Sequence, residues 1–501
     1  MSARYIGALD AGTTSVRFMV FDRDARVVAQ AQKEHRQIFP QQGWVEHDPL
    51  EIWANCAEVM RTVLSSTGLT GNDIEAIGIT NQRETTVIWE RTTGRPIYNA
   101  IVWQDTRTDQ LCNQWLADGL EQEIAHRSGL PVSPYFASSK IRWILDHTDD
   151  SMARARRGDL CFGTIDTWLL HRLSADHGHV TDVTNASRTM CMNLETLDWD
   201  DSLLAALDIP AAILPEIVPS SSPDALGVTA PDGPLGTQVP ICGILGDQQA
   251  ATVGQACLSP GEAKNTYGTG CFLLLNTGRD IRRSAKGLIS TVAYQFGDLP
   301  AVYALEGSVA MGGATVQWLR DEMQMIDEAA DSETLAASVP DNGGCYLVPA
   351  FSGLFSPWWR SDARGVLAGL TRYVTKAHVV RAALEAICFQ SRDVLDVMLE
   401  EGSVAMPRLH VDGGATANGF LMQLQADILG IPVARPAITE TTSLGAAYAA
   451  GLATGYWESE EAIRSGFRVD RVWQPAITAQ ERDALHAHWL KAVDRTLNWV
   501  D

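Results

Sequence analysis

Four short segments of the sequence combine residue types suited to phosphate, a metal ion and hydroxyl groups. LDAGTTSVR (9–17) places an Asp ahead of a glycine turn and three consecutive hydroxyl residues. In such a hairpin, backbone N–H groups and hydroxyls can point at phosphate oxygens. Asp10 can then hold Mg2+, usually through water, because this ion keeps part of its hydration shell. The same residues also suit an ordinary hydrogen-bonded hairpin. VDGGATAN (411–418) repeats the theme: an Asp at a strand end, a Gly pair open to close backbone approach, and a helix start that attracts negative charge. Its plain alternative is a glycine-rich strand-to-helix turn. ITNQRETT (79–86) sets Arg83 beside Glu84, a planar fork of donors next to acceptors, able to grip neighbouring hydroxyls from both sides. A surface ion pair is the commoner fate of such a dipeptide. GDQQAATVGQ (246–255) puts Asp247 at a helix start, where the dipole favours an ionised carboxylate. There it could take a proton from a hydroxyl, with Gln248 bonding the same substrate, or serve as an N-cap.

Positioning these residues requires strands that end in turns. The opening predicts three short strands at 5–10, 16–22 and 27–32, a helix near 49–65 and a buried strand at 74–80 leading into NQRE. A helix is expected near 138–146, and a strand–turn region around 160–170. The pattern then recurs. Strand–turn–strand at 264–268 and 271–276 precedes short strands near 291 and 303 and helices near 313–323 and 377–399. A strand at 409–412 leads to a helix at 418–429, and a closing helix covers 479–498. The uncharged, small-residue stretch between Glu440 and Glu458 reads as a buried helix. This order predicts a duplicated α/β unit, with a boundary near GQACLSPGE (254–262) and domains at 1–254 and 255–501.

The chain has 501 residues, well beyond the size of a single core, so a ligand cleft between two domains is expected. Lys and Arg number 39 against 61 Asp and Glu, a net charge of −22, which disfavours nucleic acid and anionic membranes as partners. Nine scattered cysteines without a CxxC pair suit a reducing cytosol. The opening residues lack a signal-like apolar core, and no stretch predicts a membrane span; the expected compartment is the cytoplasm.

The paired Asp-Gly turns, with GDQQA between them, resemble the phosphate clamp of the actin-like ATPase superfamily. More specifically, NQRE, VWQDTRT, NASRTM, GDQQAA, KNTYGTGCF, ALEGSVAMGGA, QWLRDEM and VDGGATAN stand in the order found in the FGGY carbohydrate-kinase family. YFASSKIRWILDH (135–147) and GVLAGL…HVVRAALE (365–385) resemble its two general signatures. NQRE and GDQQA resemble the glycerol-specific branch rather than the xylulose kinases. The resemblance spans the chain from about residue 4 to the final helix. It implies an α/β fold of two ribonuclease H-like (actin/hexokinase-type) domains around a cleft, and ATP-dependent phosphorylation of glycerol to sn-glycerol 3-phosphate, the first step of glycerol catabolism.

The resemblance also implies roles. Arg83, Glu84, Tyr135 and Asp247 would bond the hydroxyls, assisted by Gln248, while Trp103 and Phe272 pack on the carbon chain. Thr13, Thr14, Ser15, Arg17 and Thr269 would contact phosphates; Gly313, Gln317, Gly414 and Asn418 would line the adenine and ribose side. Asp10 and Asp247 would flank Mg2+ bound with ATP, Asp247 being the general base. Glycerol and ATP are the implied small-molecule partners, with a homo-oligomer (dimer or tetramer) as the implied assembly. One departure concerns regulation. Some bacterial members carry a basic glycine loop ending in Thr-Arg that binds fructose 1,6-bisphosphate. This chain reads DGPLGTQVP (232–240), with Gln238 in place of the Arg. Trp358-Trp359-Arg360 replaces a common Tyr-Trp-Asp, so no assembly role transfers there. The rival readings are a kinase for erythritol or a pentulose, and an ATP-driven switch without an organic acceptor. A P-loop enzyme is excluded by the lack of GxxxxGK[ST].

Overall fold

The computed structural model describes residues 4–351 and 353–500. Two sheets carry the site. In the first, of six strands, Tyr5–Ala11, Ser15–Phe21 and Val27–Glu34 form an antiparallel meander. Ile74–Asn81 then pairs parallel to Tyr5–Ala11, and Pro240–Gly246 parallel to Ile74–Asn81. The seven-stranded second sheet repeats the scheme. Ala263–Tyr267, Cys271–Gly278 and Val302–Val309 are antiparallel, Leu409–Asp412 joins parallel to Ala263–Tyr267, and Val433–Pro436 parallel to Leu409–Asp412. In both sheets the parallel neighbours aim their C-terminal ends the same way, so Asp10, the NQRE turn and Asp247 emerge together, as do Thr266 and Asp412.

Local chemistry explains the helix ends. Pro49–Thr67 starts on Asp48, whose carboxylate accepts from Leu50 N at 2.9 Å, has Pro in its first turn, and stops at Gly68 in the left-handed region. The uncharged stretch forms the helix Thr441–Thr454, buried through most of its length. It belongs to the second half by sequence, yet it lies on the first sheet beside Asp247–Gly254. Only residues without side chains permit that approach: a Cβ on Gly78 would sit 2.0 Å from the Ala446 carbonyl oxygen, and one on Gly254 1.9 Å from that of Thr441. A single apolar cluster consequently runs across the halves, joining Ile6, Ala8 and Leu245 to Leu274, Ala304 and Leu444.

One expected element is corrected. The region around 160–170 is the strand Leu160–Gly163 followed by the helix Ile165–Leu173. All nine cysteines are buried and unpaired. Among the described residues, no helix is long and apolar enough to cross a membrane.

Candidate active site

The first strand ends at a turn closed by Gly12 N donating to the Ser15 carbonyl at 3.0 Å. Asp10 faces Arg17 across the hairpin, with Nε 3.8 Å from Oδ2, and accepts from the Ser443 hydroxyl at 2.9 Å. Burial raises the Asp10 pKa, while Arg17 and Ser443 act to lower it. The hydroxyl residues divide. Thr13 accepts from the Trp103 indole N–H at 3.0 Å, Ser15 accepts from Gln32, and Thr14 is exposed.

NQRE rises from the neighbouring strand. Gln82 fastens it to the turn, its backbone N–H donating to Ala11 at 2.8 Å and its amide to the Gly12 carbonyl at 3.1 Å. Arg83 and Glu84 are not a surface pair: they are 3% and 1% exposed. Glu84 adopts φ +58°, an uncommon backbone state for a side chain of this size. Arg83 donates through both terminal nitrogens to Glu306, at 2.5 and 2.9 Å, and brings Nε within 3.2 Å of Asp247 Oδ1. Arg188 closes the lattice, donating to Glu84 at 2.6 Å and to Glu306 at 3.0 Å. Burial acts to raise the Glu306 pKa, but Arg188 and Arg83 overcome it and hold the carboxyl down to about 2. The Glu84 carboxyl is raised by burial, with both arginines opposing.

Above this lattice stand three aromatic rings. Trp103 meets Tyr135 edge-on with centroids 5.6 Å apart, and Phe272 likewise at 6.1 Å. They form a small apolar wall contributed by both halves. Asp247 opens its helix after Gly246, so it is not the N-cap, and its side chain remains 28% exposed. Its Oδ1 accepts from Gln248 N at 2.7 Å. Burial raises its pKa against the pull of Arg83 and Lys264.

Two cavities adjoin. One, of about 540 Å3, is lined by Asp10, Arg17, Asp247, Thr266 and Asp412 among others. The other, of about 400 Å3, is lined by Thr269, Gly313, Gln317, Gly414 and Asn418, with Leu384 and Leu421 giving it an apolar side. Gly414 and Ala417 border both, so the two form one continuous wall. Asn418 also caps the helix Gly419–Leu429, accepting from Leu421 N at 2.8 Å, which points that helix's N-terminus at the cavities.

Thus the structure gathers Asp10, Arg17 and Asp247 at one cavity and the five second-half residues at the other. Trp103, Tyr135 and Phe272 converge, and Arg83 and Glu84 lie beside them. Thr13, Thr14, Ser15 and Gln248 line neither cavity. Sequence reasoning missed Arg188, Lys264 and Glu306, all fully buried. For Glu306 and Lys264 the signal was present: ALEGSV and AKNTY each place a charge inside an otherwise strand-like run.

The geometry defines a two-domain phosphotransferase cleft, and the comparisons with known proteins agree. The N-terminal domain of the FGGY family of carbohydrate kinases matches residues 5–254, and its C-terminal domain residues 263–454. The chain belongs to this family. The glycerol kinase of Mycolicibacterium vanbaalenii is 57% identical over 100% of this chain and 99% of that protein. Glycerol kinase 1 of Streptomyces coelicolor is 58% identical over 99% of each. The crystal structure of Plasmodium falciparum glycerol kinase with ADP superposes with a TM-score of 0.93 at 37% identity, covering 99% of this chain and 98% of that one. Gluconate kinase of Lactobacillus acidophilus shares the fold, with a TM-score of 0.86 at 23% identity over 99% and 98% of the two chains.

Proposed function

We propose that the chain transfers the γ-phosphoryl group of ATP to a terminal hydroxyl of glycerol, giving sn-glycerol 3-phosphate. The observation that carries this reading is the buried Arg83–Glu84 pair beneath the Trp103–Tyr135–Phe272 wall, beside the cavity that holds Asp10 and Asp247. A switch that only hydrolyses ATP has no use for such a pocket. Full-length relatives 57–58% identical, named glycerol kinases, support glycerol over a larger polyol or a ketose. Residues 1–254 would bind glycerol and the phosphates, and residues 255–501 the nucleoside. A cytoplasmic location and self-association into a dimer or tetramer belong to the same proposal.

The donor set suits a Mg2+ that keeps part of its water shell, since no three carboxylates close into a ligand cluster among the described residues. Asp10, Asp247 and Asp412 bring three hard carboxylates to one cavity, and Asp412 Oδ1 is buried without a partner among the described residues. Asp10 and Asp247 would hold the ion, which when bound neutralises phosphate charge. The chain's own residues do the rest. The aromatic wall limits the carbon chain to a small polyol. Arg83 and Glu84 present a donor and an acceptor to adjacent hydroxyls. Both described contacts of Asp247 fall on Oδ1, leaving Oδ2 for the proton of the attacking hydroxyl. The hydroxyl oxygen bonds to the γ-phosphorus, the bond to ADP breaks, and the proton passes to Asp247 and then to water. A raised pKa makes that carboxylate the stronger base. The test is coupled ADP release with and without glycerol, across glycerol, erythritol and D-xylulose. Release independent of glycerol, or faster with another acceptor, overturns the reading.

Arg83→Ala is expected to raise the glycerol KM about 10–100-fold, the worth of about 1.5–3 kcal/mol for a hydrogen bond to a charged group. The ATP KM should stay within about threefold, because the nucleotide cavity lies on the other half. Equal losses for both substrates would make Arg83 purely structural.

Fructose 1,6-bisphosphate is expected to inhibit weakly or not at all. Gln238 is exposed, and its neighbour Thr237 spends its hydroxyl on Asn72. Two phosphates require Arg or Lys forks to offset their desolvation. Titration at saturating ATP and glycerol with excess magnesium checks this, and inhibition in the low micromolar range refutes it.

A further inference from the structure

The lysine at the centre of the site has no part in the mechanism above. Lys264 lies in the strand Ala263–Tyr267 and is 0% exposed. Its ammonium donates to Gln248 Oε1, to Thr266 Oγ1 at 2.9 Å and to the Phe272 carbonyl at 3.3 Å. Three N–H groups thus meet three acceptors, all of them neutral. Among the described residues, no carboxylate comes within ion-pair distance of this nitrogen. A buried ammonium held only by neutral groups is costly, and burial pushes the Lys264 pKa down to about 8.

Two consequences follow from the chemistry of the bonds. Lysine has donors and no acceptor, so each of its partners must accept. With Oε1 of Gln248 turned to the lysine, the amide flip is set and its NH2 group is left on the other side as a donor. With Oγ1 of Thr266 accepting, the hydroxyl proton of Thr266 is left to point elsewhere, and Thr266 lines the cavity shared by Asp10 and Asp247. The second consequence is charge. The cluster holds Arg83, Arg188 and Lys264 among the carboxylates of Glu84, Glu306, Asp247 and Asp412. Each arginine contacts carboxylates directly, Arg83 both Glu306 and Asp247, so among these cations Lys264 is the one in no contact pair. Its field falls on Asp247, Asp412 and Glu306.

We propose that Lys264 is a positioning residue for phosphoryl transfer: it fixes Gln248 and Thr266 as hydrogen-bond donors toward the reacting oxygens and adds an unpaired positive charge beside Asp412 and Asp247. The inference rests on the glycerol-kinase reading above and adds to it a residue outside the direct substrate contacts. An oxygen that gains negative charge as the phosphoryl group moves is stabilised by donors already aimed at it, and these need no reorganisation during the step. The effect therefore belongs to kcat and not to ground-state binding.

The experiment compares wild type, Lys264→Met and Lys264→Arg in glycerol-dependent ADP release, with glycerol and ATP varied separately. Met keeps the length of the chain and removes donors and charge. Its kcat is expected to fall about 30–100-fold with the ATP KM within about threefold, and Arg to recover at least a tenth of wild-type kcat. A Lys264→Met kcat within threefold of wild type overturns the proposal, and so does a loss confined to the glycerol KM or no recovery by Arg. If Lys264→Met does not fold, by circular dichroism and thermal melting, the double variant Gln248→Leu/Thr266→Val decides. It keeps the cation and deletes both aimed donors, and a kcat loss of tenfold or more supports the proposal while a loss under threefold sinks it. Wild-type protein that releases no ADP in response to glycerol overturns the functional reading itself, an outcome distinct from active wild type with an indifferent Lys264→Met.

Discussion

Asp247→Asn is expected to fold and to keep most nucleotide binding, while kcat falls by about 10²–10⁴-fold, the usual worth of a general base. Asn retains the shape and the oxygen that accepts from Gln248 N, so the start of the helix Asp247–Gly254 keeps its local bond. What it lacks is a basic oxygen and the negative charge that would face the metal ion. The wild-type carboxylate stands at a cavity wall with more than a quarter of its side chain exposed, close enough to Arg83 to stay ionised and buried enough to bind a proton more readily than free Asp. Phosphoryl transfer draws most of its acceleration from alignment and charge neutralisation, which bounds the loss from above. Single-turnover measurement with saturating ATP and glycerol separates this chemical step from product release. A rate within fivefold of wild type would move the base role to another residue. Titration of the variant with nucleotide in the absence of magnesium should match wild type within about threefold, since the nucleoside side is built from Gly313, Gln317, Gly414 and Asn418 on the other half.

Much of this site was legible in the sequence because its parts sit at strand ends, where a change from apolar alternation to Gly, Asp and hydroxyl residues is abrupt. DAGTTS, NQRE, GDQQA and DGGATAN all emerge where those breaks place them. The helix Ile165–Leu173 was less visible for a physical reason. Nearly every residue in it is buried, including Asp166, Thr167 and His171, so it has no polar face to print a 3.6-residue period on the sequence. Pairing was also hidden. Arg83 and Glu84 adjoin in sequence, yet each takes its short contacts elsewhere, with Glu306 and Arg188, at separations of 223 and 104 residues. A motif names one side of such a lattice, and only the folded chain supplies the other. The two sheets deliver both: Glu306 comes from the second, and Arg83 from the end of a strand in the first.

That lattice sets the second large effect. Glu306→Ala is expected to destabilise the protein by about 3–5 kcal/mol, the cost of leaving a buried charge unpaired. Both Arg83 and Arg188 lose their shared carboxylate, in a place where water does not replace it. Glu306→Gln keeps the volume and one acceptor oxygen, so it should lose less stability but still free Arg83 to swing, raising the glycerol KM more than the ATP KM. The acid limb of stability gives an independent reading. A carboxyl held at about 2 in the folded state, against an ordinary 4.5, binds fewer protons folded than unfolded. Its contribution is fully present above about pH 4.5 and is lost as pH falls toward 2. By the shift alone it amounts to about 3 kcal/mol. Glu84, raised by burial, works in the opposite sense, since a folded-state pKa above the unfolded one adds stability at low pH and loses it as pH rises. The wild-type acid limb is therefore shallower than Glu306 alone dictates. Glu306→Gln removes the titrating carboxyl of Glu306 and leaves that of Glu84, so its stability should decline less than wild type between pH 4.5 and pH 3, measured by urea unfolding at each pH. Parallel declines for the two proteins would show that Arg83 and Arg188 do not hold Glu306 ionised through this range.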